Sequence, residues 1–114
     1  MSTLKRQQFQ AGKTIKIAVA DTVIGFGTAD FLEAVQPTSG PWQGYSAAMI
    51  LITPITSPIY YAYNVDPTPD GEIGHPLPVG EELEVINWTN INAIRFVRQG
   101  GKNGAIMLTP FYGR

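Results

Sequence analysis

Turn-forming residues punctuate this chain so densely that little room is left for long helices. Twelve glycines and nine prolines are spread over 114 residues. Between them lie short runs rich in β-branched and aromatic side chains, which suit a pleated, half-buried surface. Thr14–Val19 alternates and reads as a strand. Thr22–Thr28 reads as a second, short or bulged strand, with Gly25 and Gly27 marking a bend. In Tyr45–Ile52, Ala48, Ile50 and Ile52 alternate with Ala47, Met49 and Leu51. Both faces are apolar, which places this strand in the middle of a layered β structure. Pro54 and Pro58 bracket a turn, and Ile59–Tyr63 is the next strand. Asp66–Gly71 is a dense turn cluster. Pro76, Pro78 and Gly80 keep the following stretch irregular, with Ile73 and Leu77 as apolar anchors. Leu83–Ile86 and Ala93–Arg98 read as strands. Gly100–Gly104 turns a hairpin, and Ala105–Phe111 returns along it.

About seven short strands with turns every 8–12 residues predict an all-β fold: a small antiparallel β-sandwich, jelly-roll-like. Ala29–Val35 fits two helical turns or a further strand. Helix is expected nowhere else. Gln36–Gly44 is a loop. The chain length predicts one domain. Residues 1–13 are polar and aperiodic and read as a flexible N-terminal arm, with residues 14–114 as the β-sandwich domain. Leu4 and Phe9 are too little apolar surface to hold the arm on its own domain. Ordering costs about 1–2 kcal/mol per residue for the backbone alone. The arm is therefore expected to order on an outside surface. It has no apolar h-region of a signal peptide, and no run is long enough to span a membrane.

Net charge is −1 and hides a pattern. Lys5, Arg6, Lys13 and Lys16 precede every acid. All nine acids fall between Asp21 and Glu84, in a stretch without Lys or Arg. Arg95, Arg98, Lys102 and Arg114 close the chain. Such blocks either mix in space into a mosaic surface or leave basic ends that pair with an acidic partner. Eight basic residues offset by nine acids make a poor phosphate-binding footprint, so nucleic acid is not an expected partner.

The inventory for catalysis is thin. Cysteine is absent, which removes thiolate metal sites, cysteine nucleophiles and disulfides. The single histidine, His75, lies between Gly74 and Pro76 with no motif partner, and reads as a turn histidine. Asp66, Thr68, Asp70 and Gly71 echo the start of a calcium loop, but Leu77 stands where the bidentate Glu is needed. Gly25-Phe26-Gly27 lacks the third glycine and the following helix of a dinucleotide fingerprint. Glu82 and Glu84 share one face of a strand whose other face is Leu83 and Val85, the pattern of a half-solvated strand. No catalytic residue, metal site or cofactor is expected, and the chain reads as a non-enzyme. Phe26, Phe96 and Tyr61 are expected in the core. Trp42, Tyr45 and Trp88 are either core or an exposed platform for a sugar or a protein.

The run from Ala48 to Arg114 resembles small virion proteins of tailed bacteriophages. The matching pieces are Ile52-Thr53, Pro58-Ile59-Tyr60, Asp66-Pro67-Thr68-Pro69, Gly74-His75-Pro76-Leu77, Gly80, Leu83, Ile91–Arg98 and Met107–Tyr112. Ile24-Gly25-Phe26 matches a feature of the first strand, so the resemblance extends over residues 14–112. It departs in the length of the Gln36–Gly44 loop and at Pro110, which predicts an edge strand or a strand end. The resemblance implies a structural protein located in the virion and made in the host cytoplasm. A capsid decoration (cement) protein is the first expectation, bound in many copies or as a homo-oligomer to the major capsid protein or other virion proteins. A neck, tail or fibre-base component is the alternative, and a glycan-binding module the alternative from another class. No membrane partner is expected. The expected partner-binding residues are Leu4, Lys5, Arg6, Phe9, Lys13 and Lys16 on the arm and its root, and the aromatics Trp42, Tyr45 and Trp88.

Overall fold

A computed structural model describes residues 9–113. They form β1 (Gln10–Ala11), β2 (Ile15–Val19), β3 (Ile24–Gly25), α1 (Ala29–Val35), β4 (Ala47–Ile55), β5 (Ile59–Tyr63), β6 (His75–Leu77), β7 (Leu83–Ile86), α2 (Trp88–Ala93), β8 (Ile94–Arg98) and β9 (Gly104–Tyr112). The chain is all-β in character, as expected. Its strands make two antiparallel sheets. In one, β9 lies between β4 on one side and β1 and β2 on the other, and β7 flanks β4. The other runs β3-β8-β5-β6.

The pairings have one plan. β2 pairs with β9, β3 with β8, β4 with β7, and β5 with β6. This is a long two-stranded ribbon that turns back between β5 and β6. Rolling brings β9 against β4 and β8 against β5 as well. The two sheets enclose one core. Ile17, Val19, Ile50, Ile52, Val85, Ile106 and Leu108 come from the first sheet, and Ile59, Leu77, Ile94 and Phe96 from the second. Each fully buried Ile, Leu or Phe removes enough apolar surface to contribute about 1.5–3 kcal/mol. The two-residue period of the strands sets which residues take part, while Met49 and Val97, also fully buried, stand outside this cluster.

The ambiguous segment is helical. Phe31, Ala34 and Val35 recur at helical spacing and are buried. The Thr28 hydroxyl does not cap the helix but donates to Gly25 O at 2.7 Å, bending the chain from β3 into α1. Gln36 ends the helix, as the residue before a proline usually does.

Several expectations need correction. Helix is not confined to α1, because α2 follows β7. Asn87 adopts φ 68° and its side chain accepts from Asn90 N at 3.2 Å, while Ile91 is fully buried. His75 lies in strand β6, not in a turn, and its ring packs at 5.3 Å from that of Tyr61. Pro110 is neither on an edge nor at a strand end: it faces Ile50 within central strand β9. Its carbonyl accepts from Gly12, so its nitrogen also faces the first-strand side, where the chain breaks between β1 and β2. Pro54 likewise lies within β4, where a turn was expected. Its carbonyl accepts from Gly80, on the side where β7 has ended, so no ladder donor is missed. The boundary after residue 13 also shifts, since Gln10 and Ala11 already pair with Tyr112 and Phe111. The expected arm residues Leu4, Lys5 and Arg6 lie outside the described residues.

The outer faces of the two sheets differ. The β5–β6 connection folds over the second sheet: Cβ atoms built on Gly71 and Gly74 would meet Tyr60 at 2.5 and 3.1 Å. Asp70 organises this loop by accepting from Thr68 Oγ1 at 2.7 Å and Glu72 N at 3.0 Å. Those bonds hold its carboxyl below the usual carboxylate range, the Glu72 amide contributing most. The loop is tied down by Gly100 N donating to Pro69 O at 2.7 Å. The outer face of the first sheet carries Met49, Leu51, Ile86, Thr109, Phe111 and the exposed Met107.

Candidate binding groove

The break between β1 and β2 opens a groove of about 770 Å³ against α1 and the loop that follows it. Its floor is aromatic and proline-rich: Trp42, Tyr112, Pro37, Pro41 and Pro110. One wall carries Lys13 and Lys16, the other Asp30 and Glu33 of α1. Asp30 and Glu33 are three residues apart and so share one face of the helix.

Tyr112 anchors this region. It is 2% exposed, and its hydroxyl donates to Ala34 O at 2.5 Å, joining β9 to α1. Burial, assisted by the charge of Glu33, pushes its pKa up to about 12. Trp42 stacks on Tyr112 with centroids 4.9 Å apart and ring planes 22° apart. Tyr45 meets Trp42 edge-on at 5.3 Å. Trp42 and Tyr45 are thus both core and surface: half-buried against the cluster, with Trp42 also lining the groove. The loop that carries Trp42 is shaped by Gly40 and Gly44, both at positive φ. Glu33 accepts from Thr38 N at 3.0 Å and Thr38 Oγ1 at 2.8 Å, which fixes the loop to the helix.

Gly12 is essential to the geometry. A Cβ there would lie 2.5 Å from Tyr112 Cε2 and 3.1 Å from Pro110 Cγ, closing the floor.

The groove gathers Lys13, Lys16 and Trp42 of the expected binding residues, with Tyr45 behind Trp42. Trp88 does not line it; its ring packs edge-on to Phe26 at 5.5 Å, against the core. Phe9 lies elsewhere, beside Gly113. Phe96 is fully buried as expected, and Phe26 and Tyr61 are partly buried against the same core. Asp30, Glu33 and Tyr112 were not anticipated in the site. Nothing local marks them, because the groove is made by the ladder between β1 and β9, which pairs Gln10 with Tyr112 and Ala11 with Phe111. Side chains of both signs line the groove, so here the sequence blocks of charge do mix in space. A second mixing point is Arg95 Nε, 4.0 Å from Asp66 Oδ1.

Among the described residues no group of His, Asp or Glu is arranged to hold a metal ion. No helix there is long and apolar enough to cross a membrane. Searches against protein-family models, curated proteins and solved structures found no match for this chain.

Proposed function

We propose that this chain is a structural protein of a tailed-bacteriophage virion, a jelly-roll β-sandwich that binds in many copies to the outside of the head and performs no catalysis. The observation that carries this reading is the strand order. Counted from β2, eight strands form the sheets β2-β9-β4-β7 and β3-β8-β5-β6, joined as one rolled ribbon. That order supports the jelly-roll part of the reading, and jelly rolls are an architecture of viral capsid and lectin domains. A fold hosts many functions. The virion role therefore leans on a second support, the resemblance of residues 14–112 to small phage virion proteins.

The mechanism is linkage. A protein that binds an assembled lattice and not its dispersed subunits stabilises the lattice, by about 2.7 kcal/mol per site at a hundred times its Kd. The groove supplies a suitable contact, with Trp42 as apolar anchor and charges of both signs to set orientation. The partner is the major capsid protein; a neck, tail or fibre-base partner would use the same surface. Cryo-electron microscopy of native particles tests the reading. Density for this chain at symmetry-related junctions of the head is the expected result, and its absence from the particle would overturn the proposal.

A second reading, a glycan-binding module, is favoured by the aromatic platform flanked by Asp30, Glu33 and the two lysines. Titration with host surface polysaccharide, followed by Trp42 fluorescence in a Trp88→Phe background, separates the two. A saturable change supports the glycan module and counts against a purely cementing role.

A further inference from the structure

We infer that the groove takes a proline-containing segment in the polyproline II conformation, with an acidic side chain turned to Lys13 and Lys16 and a basic one to Asp30. The inference names the partner chemistry for the contact proposed above and rests on the groove being that contact. The groove makes three demands on an occupant. Its floor is apolar, and three of its residues, Pro37, Pro41 and Pro110, have no backbone N–H to offer. An extended strand therefore finds few donors there for a ladder. Trp42 lines the floor with its ring already stacked on Tyr112, so an occupant meets a surface that is held in place. The two walls carry opposite charges that do not meet. Among the described residues no ion pair involves Lys13, Lys16 or Asp30, and all three are exposed. Glu33, by contrast, is already engaged by Thr38.

A polyproline II helix meets the three demands together. It repeats every three residues, so its side chains leave on three sides, roughly 120° apart. The side that carries proline lies on the floor, and the other two rise along the walls, one with each sign of charge. A β-strand offers only two opposite sides. A neutral sugar has no charge for either wall. From Ala11 to Lys16 the lysine wall is about 16 Å long if extended. That length matches about five residues of polyproline II. Such a segment also arrives already ordered, so it loses less freedom on binding than a flexible one.

Titration of the full chain with synthetic peptides tests this, read by Trp42 fluorescence in a Trp88→Phe background. A repeating Pro-Glu-Arg peptide should give a saturable change. A Pro-Gln-Gln repeat of equal length should bind about 2- to 30-fold more weakly, through the loss of two exposed ion pairs. A Gly-Glu-Arg repeat, flexible instead of polyproline II, should also bind more weakly. Equal binding by the Pro-Gln-Gln repeat would overturn the role of the walls, and equal binding by the Gly-Glu-Arg repeat the role of the conformation. Silence towards every peptide, or a response to host polysaccharide alone, would overturn the inference outright. Lys13→Glu combined with Lys16→Glu changes only exposed side chains and makes both walls acidic. That variant should prefer a Pro-Arg-Arg repeat to Pro-Glu-Arg, the reverse of the parent, and an unchanged preference would count against the lysine wall. The peptides probe the isolated chain, so its absence from native particles would overturn the head reading and leave these results standing.

Discussion

The amide of Gly12 donates to the carbonyl of Pro110 at 2.7 Å, across the break between β1 and β2. One bond thus holds the root of the arm to the central strand at the point where the proline nitrogen can donate nothing. It also leaves the aromatic floor of the groove open, because glycine puts no side chain against Tyr112.

Gly12→Ala should accordingly destabilise the fold by about 1–3 kcal/mol, the usual range for overpacking a filled site. Gly27→Ala is the control, since nothing lies within 4 Å of its Cβ and its φ is not in the left-handed region. Urea unfolding of both variants measures the difference. Equal stabilities would mean that Tyr112 and Pro110 give way without cost.

Tyr112 predicts a pH dependence. Its folded pKa of about 12 lies above the ordinary tyrosine value near 10. The native state therefore holds the phenol proton more tightly than the unfolded chain. The stabilisation is fully present below about pH 10 and is lost as pH rises toward 12. Tyr112→Phe removes this term and leaves Ala34 O without its donor, at a cost of about 1–2 kcal/mol near neutral pH. Between pH 10 and 12 the variant should lose stability less steeply than the parent. Thermal unfolding across that range checks the slope.

The same residues show how much of this molecule was legible in its sequence. Alternation in Ile15–Val19 marked a strand because one of its faces is buried and the period of two is local, and the aromatic content of Ile59–Tyr63 marked another. Pro54 and Pro110 misled because proline was read as ending a ladder. What matters is which side of the strand its nitrogen faces, and that depends on partners far away in sequence. β6 was missed because its three residues, His75-Pro76-Leu77, carry one core side chain and no alternation. α2 was missed because its signal is a single Asn87 cap and one buried isoleucine. Three residues of the groove were named in advance, Lys13, Lys16 and Trp42. The acidic wall was not, since only tertiary packing brings α1 beside the break in the edge.

A pair of glycines separates backbone strain from collision. Gly71 and Gly80 sit at φ 81° and 85°, so alanine at either costs about 1–2 kcal/mol for the left-handed backbone. At Gly80 the Cβ meets nothing within 4 Å, whereas at Gly71 it lies 2.5 Å from Tyr60 Oη. Gly71→Ala should therefore be the more damaging of the two. Its effect should appear first as faster exchange of the Ile73 and Gly100 amides, which tie the β5–β6 loop to Thr68 Oγ1 and Pro69 O. Equal losses in the two variants would mean that the tyrosine swings aside.

Asn87 combines a cap with a left-handed backbone, and two substitutions divide them. Asn87→Gly removes the bond to Asn90 N but suits φ 68°, so it should cost only a few tenths of a kcal/mol. Asn87→Ala loses the cap, about 1 kcal/mol, and keeps the Cβ at positive φ that glycine relieves, a difference of about 1–2 kcal/mol between the two variants. The alanine variant should therefore unfold at clearly lower denaturant than the glycine variant. Ile91 transmits the difference, because it is the fully buried side chain of α2 and moves if the first turn frays. If both variants lose the same stability, the bond from Asn90 carries the whole effect. The positive φ of Asn87 would then cost nothing that alanine cannot also meet.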